Sequence, residues 1–259
     1  MQLTEAELKL ANLDNLTRLW QAMGAEREIL SSQNQVFLSP GWPYRFWGEN
    51  VVTSPGEQVS PALINRLANL PGNTVIPVWP QVEAVHKSLE QALTGNGYSP
   101  SFELLAMGLV VSQEMEQAGD NKEGAGLRLV NCSHHDEVNG WTRVCSEAFG
   151  YEIDPKVIQG LAHDNNVRLI LGYENQQAVA TALLFNSQYQ GLRVTGLHQF
   201  GVPAKYRGRG IARQLMSALL AQNAGDTDFI SLQASAMGKG LYAGFGFKEQ
   251  FLIRNYRRN

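Results

Sequence analysis

The stretch "KYRGRGIARQLMSALLAQ", residues 205 to 222, sets the tightest constraint on what this chain can build. Gly208 and Gly210 stand among Arg207, Arg209 and Arg213. Ile211, Leu215, Met216, Leu219 and Leu220 then repeat at helical spacing, and Gly225 marks the end. A strand-like run ending at Val202 leads in through Pro203. The expectation is strand, turn, basic glycine loop, helix. A helix start leaves its first N–H groups unpaired at the positive end of the peptide dipole, and glycine lets an anion reach that backbone. The loop reads as a phosphate cradle.

Known phosphate loops narrow the choice. The P-loop pattern G-x-x-x-x-G-K-[ST] occurs nowhere. A dinucleotide fingerprint would need a third glycine where Arg213 stands, and its acidic residue should end the next strand, whereas Asp226 and Asp228 precede it. An RNA-binding Arg-Gly segment would be longer and not fused to a regular helix. A tight turn with solvated arginines is the remaining alternative.

Around the loop the pattern alternates. "LRLVNC" reads as a strand, "DEVNGWTRVCSEAFG" as a helix that Asp136 caps, and "DPKVIQGLAHD" as a helix with Pro155 in its first turn. "VRLILGYE", "AVATALLFN" and "RVTGLHQFGV" read as strands joined by turns at Asn175-Gln176 and at Gln188 to Gly191. "DFISLQAS", "GKGLYAGFG" and "FKEQFLIRNY" follow the loop helix as strand, short helix and strand. The order β-α-α-β-β-β-α-β-α-β predicts an α/β architecture with helices on a mixed sheet. Residues 112–126 are polar, glycine-bearing and aperiodic, a linker by composition, and separate units 1–111 and 127–259. In the first unit "LTRLWQAM", "SPALINRLANL" and "EAVHKSLEQALTGNGY" look helical, while "NTVIPVW" and "FELLAMGLVV" look like strands.

Composition excludes several partners. The net charge of −3 and pI of about 6.0 advertise neither nucleic acid nor an anionic membrane. Cys132 and Cys145 have no metal-ligand spacing, which points to a reducing compartment. The longest apolar run, residues 104–111, is far short of a membrane span. Thr4 and Glu7 fit a capping box rather than a signal peptide, so the expected location is cytoplasmic.

"VPAKYRGRGIARQLM" resembles motif A of the GNAT superfamily of acyl-CoA-dependent N-acetyltransferases, whose signature is Gln/Arg-x-x-Gly-x-Gly/Ala. Arg207, Gly208, Arg209, Gly210, Ile211 and Ala212 match it, and "LYAGFGF" at 241–247 resembles the second signature. The resemblance covers residues 127–259 and implies the GNAT fold with acetyl-CoA as co-substrate. It implies that the pantetheine arm bonds to backbone near Phe200, Gly201 and Val202, and that the pyrophosphate sits on residues 207–212, with Arg213 adding charge. Tyr242 matches the proton donor to the departing thiolate, its other reading being a packed core aromatic. Ser235 stands where the family often has Asn beside the cofactor.

The chain also departs from the family. Many members carry Glu on the fourth strand as base, and "TGLHQFG" has none. His198 is the nearest titratable group; alternation puts it on one face with Phe200 and Val202, and it reads either as the base or as a hydrogen-bonded core residue. Glu147, Glu152 and Asp154 are rival carboxylates. "CSHHDE" at 132–137 reads as a capped helix start, with no metal expected. "IRNYRRN" reads as the solvated end of a last strand.

The expected function is acetyl transfer to a primary amine on a small molecule or peptide, by direct attack in a ternary complex. The alternative is a non-catalytic acyl-CoA sensor. Residues 1–111 end in strand, glycine-closed helix and strand, as residues 127–259 do, and are expected to be a degenerate copy without the cofactor loop. Trp42, Tyr44, Arg45 and Trp47 would be acceptor-side contacts, at least two of them packed in the core.

Overall fold

The computed structural model describes residues 4–30, 35–49, 59–79, 83–112, 126–223 and 225–258. Thr4 and Glu7 open the first helix, α1 (Glu5–Ala22): Thr4 N–H donates to the Glu7 carboxylate at 2.8 Å and Glu7 N–H to Thr4 Oγ1 at 3.2 Å. Strands β1 (Glu26–Ile29), β2 (Gln35–Leu38) and β3 (Phe46–Glu49) follow, paired antiparallel in that order. Each spans four residues, too short for alternation to announce it. Then come α2 (Pro61–Ala68), β4 (Val75–Val78), α3 (Glu83–Gly95) and β5 (Tyr98–Val110).

The second unit runs in the order its sequence suggests. It comprises β6 (Arg128–Cys132), α4 (His135–Phe149), α5 (Pro155–Leu161), β7 (Val167–Glu174), β8 (Gln177–Tyr189) and β9 (Leu192–Gly201). It continues through α6 (Ile211–Asn223), β10 (Phe229–Ala234), α7 (Lys239–Ala243) and β11 (Lys248–Arg258). The hairpin turns hold positive φ at Asn175 and Gln176 (47° and 65°) and at Gln190 and Gly191 (49° and 85°), the geometry that matches strand twist. One cap differs from expectation. His134, not Asp136, is the N-cap residue of α4, and the Glu137 carboxylate accepts from Ser133 N–H at 3.0 Å.

A single mixed sheet joins both units in the order β4-β11-β5-β10-β9-β8-β7-β6. β5, from the first unit, stands between β11 and β10, and β11, from the second, stands between β4 and β5. The last strands of the two units have therefore changed places. The element order from β1 to β5 equals that from β7 to β11, and the parallel β9–β10 pairing has its counterpart in a parallel bridge, Arg45 to Val75. The expected linker lies outside the described residues except for Ser112 and Gly126.

The basic "IRNYRRN" segment is correspondingly not a solvated end. Ile253, Asn255 and Tyr256 are buried. Arg254 pairs with Glu90 at 2.8 Å and Glu103 at 3.0 Å. Arg258 donates to Leu67 O at 2.8 Å and Ala68 O at 2.9 Å, at the end of α2 where carbonyls outrun the helix's own N–H donors. An interior strand needs its charges absorbed by neighbours, and α2, α3 and β5 supply them.

Helix α1 crosses the centre of the sheet, fixed by two fully buried asparagines. Asn12 Nδ2 donates to Met107 O on β5 at 3.0 Å and to Gln250 Oε1 on β11 at 2.6 Å, and Asn12 Oδ1 accepts from Gln233 on β10 at 2.7 Å. Asn15 Nδ2 donates to Phe185 O at 3.0 Å and Ser187 Oγ at 2.8 Å, both on β8. On this face α1, α4 and α5 share a core with Phe37, Trp42 and Trp47; α6 and α7 cover the other face of the second unit.

Because neither unit completes its sheet edge alone, we expect one cooperative unfolding transition for the whole chain. Ile253→Ala, at a β11 site 1% exposed, should cost about 2–5 kcal/mol in chemical denaturation. Two separated tryptophan-fluorescence transitions would contradict the shared sheet.

Candidate functional site

β9 is the spine of the site. Its parallel pairing with β10 runs from Val194↔Phe229 to Leu197↔Leu232 and stops, while β9 continues to Gly201. The two strands part there. On its other edge β9 matches Leu183↔His198 and then Thr181↔Gly201, so Gln199 and Phe200 together oppose Ala182. This is a β-bulge, with Gln199 at φ 46°.

The inserted residue turns the side-chain alternation over, which corrects the placement of His198 and Phe200 on one face. Phe200 packs with α7, its ring 6.0 Å from that of Tyr242. His198 faces α1, is 8% exposed, and its Nε2 lies 3.1 Å from Asn15 Oδ1. Asn15 Nδ2 already donates twice, so Oδ1 must accept and the Nε2 proton stays on the ring. Burial pushes the imidazole from its ordinary 6.5 down to about 3, with a Gln233 bond acting the other way. His198 therefore reads as the hydrogen-bonded core residue, not as a base facing the cleft. Of the rival carboxylates, Glu147 pairs with Lys205 at 2.7 Å and Asp154 accepts from Lys156 N–H at 2.8 Å as the cap of α5; Glu152 is exposed.

Past Val202 a 3-10 turn (Ala204–Tyr206) leads into the glycine loop. Gly208 and Gly210 take φ 75° and 77°, the left-handed region that a side chain would strain. Open space faces them: a Cβ at Gly208 would meet nothing within 4 Å, and one at Gly210 only Gln214 Nε2 at 4.0 Å. The first α6 bond runs from Gln214 N–H to Gly210 O at 3.0 Å, and among the described residues no backbone carbonyl accepts from the amides of Gly208, Arg209, Gly210, Ile211, Ala212 and Arg213. Unpaired amides, open space and a helix start together fit an anionic diphosphate.

The arginines divide. Arg207 braces the loop, Nε donating to Val202 O at 2.9 Å and Nη2 to Ala148 O at 2.8 Å. Arg209 pairs with Glu174. Arg213 lies 5.4 Å from the Phe245 ring centroid. Gly201 is needed for another reason: a Cβ there would come within 2.9 Å of Ala148 and Phe149, where α4 closes on β9.

Tyr242 is 8% exposed and packs edge-on against both Phe200 and Phe247 at 6.0 Å. Burial raises its pKa, so the phenol keeps its proton. Ser235 is exposed and its Oγ accepts from Gly238 N–H at 3.3 Å, forming the turn into α7. The geometry thus brings the loop, Phe200, Val202 and Tyr242 together and leaves His198 behind the sheet.

On the α4 side of the bulge lies a cluster that the sequence marks only in part. Cys145 Sγ sits 3.6 Å from Gln199 Oε1, and burial pushes the thiol up to about 12. Burial also raises Tyr151, while Arg45, a Gln199 bond and Arg257 act to lower it. Trp42 and Trp47 are core residues, 5% and 1% exposed. Gln199 was invisible because a bulge at a non-glycine residue leaves no mark in the pattern. Tyr151 directly follows Gly150, the left-handed end of α4 at φ 74°, and that helix stop was the one available signal.

A family model described as "Acetyltransferase (GNAT) domain" matches residues 119–256, and the chain belongs to this family of acetyltransferases. Solved structures share its fold over nearly the whole length. A GCN5-related N-acetyltransferase from Kribbella flavida is 16% identical with a TM-score of 0.63, covering 100% of this chain and 96% of its own. A GCN5-related N-acetyltransferase from Sphaerobacter thermophilus is 15% identical with a TM-score of 0.56, covering 94% and 84%. A functionally unknown conserved protein from Staphylococcus epidermidis is 14% identical with a TM-score of 0.61, covering 92% and 95%. No curated protein matches the sequence.

The depressed His198 pKa carries a stability consequence. The folded state holds the ring neutral while the unfolded chain binds a proton below about 6.5, so stability is complete above that pH and is lost as pH falls toward about 3. His198→Gln should flatten this limb in denaturation curves measured across that window. An unchanged slope would place the acid sensitivity elsewhere.

Proposed function

We propose that the chain is an acetyl-CoA-dependent N-acetyltransferase acting on a primary amine by direct attack in a ternary complex, with residues 127–259 as its catalytic unit. The observation that carries this reading is the run of unpaired amides from Gly208 to Arg213, opening into free space beside the point where β9 leaves β10. These amides hold the diphosphate of the co-substrate, and the edge of β9 that has parted from β10, at Phe200, Gly201 and Val202, pairs with its amide-bearing arm as an added strand would. An N–H near Val202 polarises the thioester carbonyl. The amine nitrogen forms its bond to the carbonyl carbon as the C–S bond breaks; Tyr242 O–H gives its proton to the leaving sulfur, and the amine loses one to solvent. Arg207 and Ser235 shape the loop and the turn into α7 rather than touching substrate. Residues 1–111 are a degenerate copy that closes the acceptor side. Among the described residues no helix is long and apolar enough to cross a membrane, and we place the protein in the cytoplasm.

One observation favours a second reading, a non-catalytic acyl-CoA sensor: β9 has no carboxylate and His198 faces α1. Turnover with a panel of amines decides between them.

Gly210→Val should weaken CoA binding at least about tenfold, near 1.4 kcal/mol, because a strained loop withdraws several amides together. Unchanged affinity by calorimetry in a folded variant would remove the loop from the site. Tyr242→Phe should leave CoA affinity intact and lower kcat about 10- to 1,000-fold. Full kcat with chemistry rate-limiting would return Tyr242 to the core.

A further inference from the structure

The first unit brings a cation to the acceptor side without bringing an anion to match it. Arg45 precedes β3 and pairs with Ser39 across the β2–β3 ladder, Ser39 N–H donating to Arg45 O at 2.8 Å. Its guanidinium is stacked between aromatic rings, 5.7 Å from Trp20 and 5.9 Å from Phe102. Arg257 of β11 sits 5.4 Å from the same Phe102 ring, so two guanidinium groups share one aromatic. Both flank Val75, Arg45 through the parallel bridge and Arg257 through the antiparallel pair.

Neither arginine forms an ion pair with a described residue. Arg45 Nε is fully buried and has no hydrogen-bond partner among the described residues, and the same is true of Ser39 Oγ and Trp47 Nε1. Ser39, Arg45 and Trp47 project from one face of the β2–β3 ladder, because Ser39 opposes Arg45 and Trp47 follows Arg45 by two residues. All three unpaired groups can donate. Unpaired buried donors around an unpaired cation are costly unless something accepts from them. The neighbours whose charges reach Arg45 are Tyr151 and Arg257, a phenol and a second cation. Trp47, on the same face as Arg45, shares one buried core with Cys145, whose Sγ lies 3.6 Å from Oε1 of Gln199, the bulge residue; the next residue, Phe200, packs its ring 6.0 Å from that of Tyr242. The cationic group therefore adjoins the acceptor side of the bulge, with the proposed proton donor on the other side.

We propose that Arg45 and Arg257, stacked on Phe102, bind a carboxylate carried by the acceptor, so that the amine substrate is a small amino carboxylate. This rests on the acetyltransferase reading above and adds the class of acceptor to it. The planar guanidinium suits a carboxylate in two-point contact, and the aromatic rings hold it in place before substrate arrives. Ser39, opposite Arg45 on the ladder, is a further donor. A neutral amine would leave the guanidinium unpaired and would bind less well by the same argument.

The test titrates the CoA-loaded protein by calorimetry with the common α-amino acids and short ω-amino carboxylates, each beside its carboxamide. At least one carboxylate should bind about tenfold tighter than its amide. Arg45→Met, which keeps the stem against Trp20, should erase that ratio. Arg257 is exposed, so Arg257→Gln tests the same point in a variant whose fold is secure, and should lower the ratio about threefold or more. No carboxylate preference in the wild type, or a preference surviving in both variants, overturns the proposal. Acetylation followed in parallel keeps the two readings apart. Neutral amides acetylated as fast as carboxylates would sink the carboxylate site and leave the enzyme standing. Carboxylate-selective binding without any acetylation would uphold the site and sink the enzyme.

Discussion

Backbone pairing at the centre of the sheet is the constraint on which the rest depends. β10 has β9 on one edge, and its other edge must be paired or covered; β5 of the first unit pairs it. β4 faces the same problem, and β11 of the second unit solves it. The exchange makes the first unit part of the same sheet as the second rather than an appendage. It also fixes where Phe102 and Arg257 stand, since both ride on the exchanged strands. Helix α1 then bridges the exchange, its asparagines reaching β5, β8, β10 and β11 from one buried stripe.

The second determinant is one residue long. The bulge at Gln199 sends His198 under α1 and Phe200 toward α7. A strand with strict alternation would have put both on one side and left Tyr242 without its aromatic neighbour. The same bulge places the Gln199 side chain beside Cys145. β9 thus separates a side lined by Phe200 and Tyr242 from a side built on α4 and the first unit.

Legibility in the sequence followed the strength of local rules. The glycine loop, the capping box at Thr4, the hairpin turns and the strands and α-helices of residues 127–259 are legible because each rests on neighbours a few residues apart. The strands β1 to β3 escaped because four residues hold too few alternations. The strand exchange escaped for a deeper reason: "FELLAMGLVV" and "FLIRNY" both read as strands, yet nothing local says which strand each will pair with. Misreading the basic tail followed from that, since its arginines look solvated until α2, α3 and β5 surround them. His198 lies on the face opposite to the one simple alternation gives, because the bulge at Gln199 breaks that alternation.

The loop shows why its glycines matter more than its arginines. Three arginines suggested a charge-driven site, but one is tied to backbone carbonyls and one is paired with Glu174. The whole chain carries a charge of −3, so its long-range field does not draw a diphosphate in. What remains is a fixed array of N–H dipoles at the start of α6, which needs no counter-charge to be removed before it binds. Such an array exists only while the backbone at Gly208 and Gly210 stays in its left-handed turn, and Arg207 holds that turn against β9 and α4 at the same time. Arg207 is therefore a brace, and what it supports at the start of α6 is an array of backbone N–H groups, the anion site of our proposal.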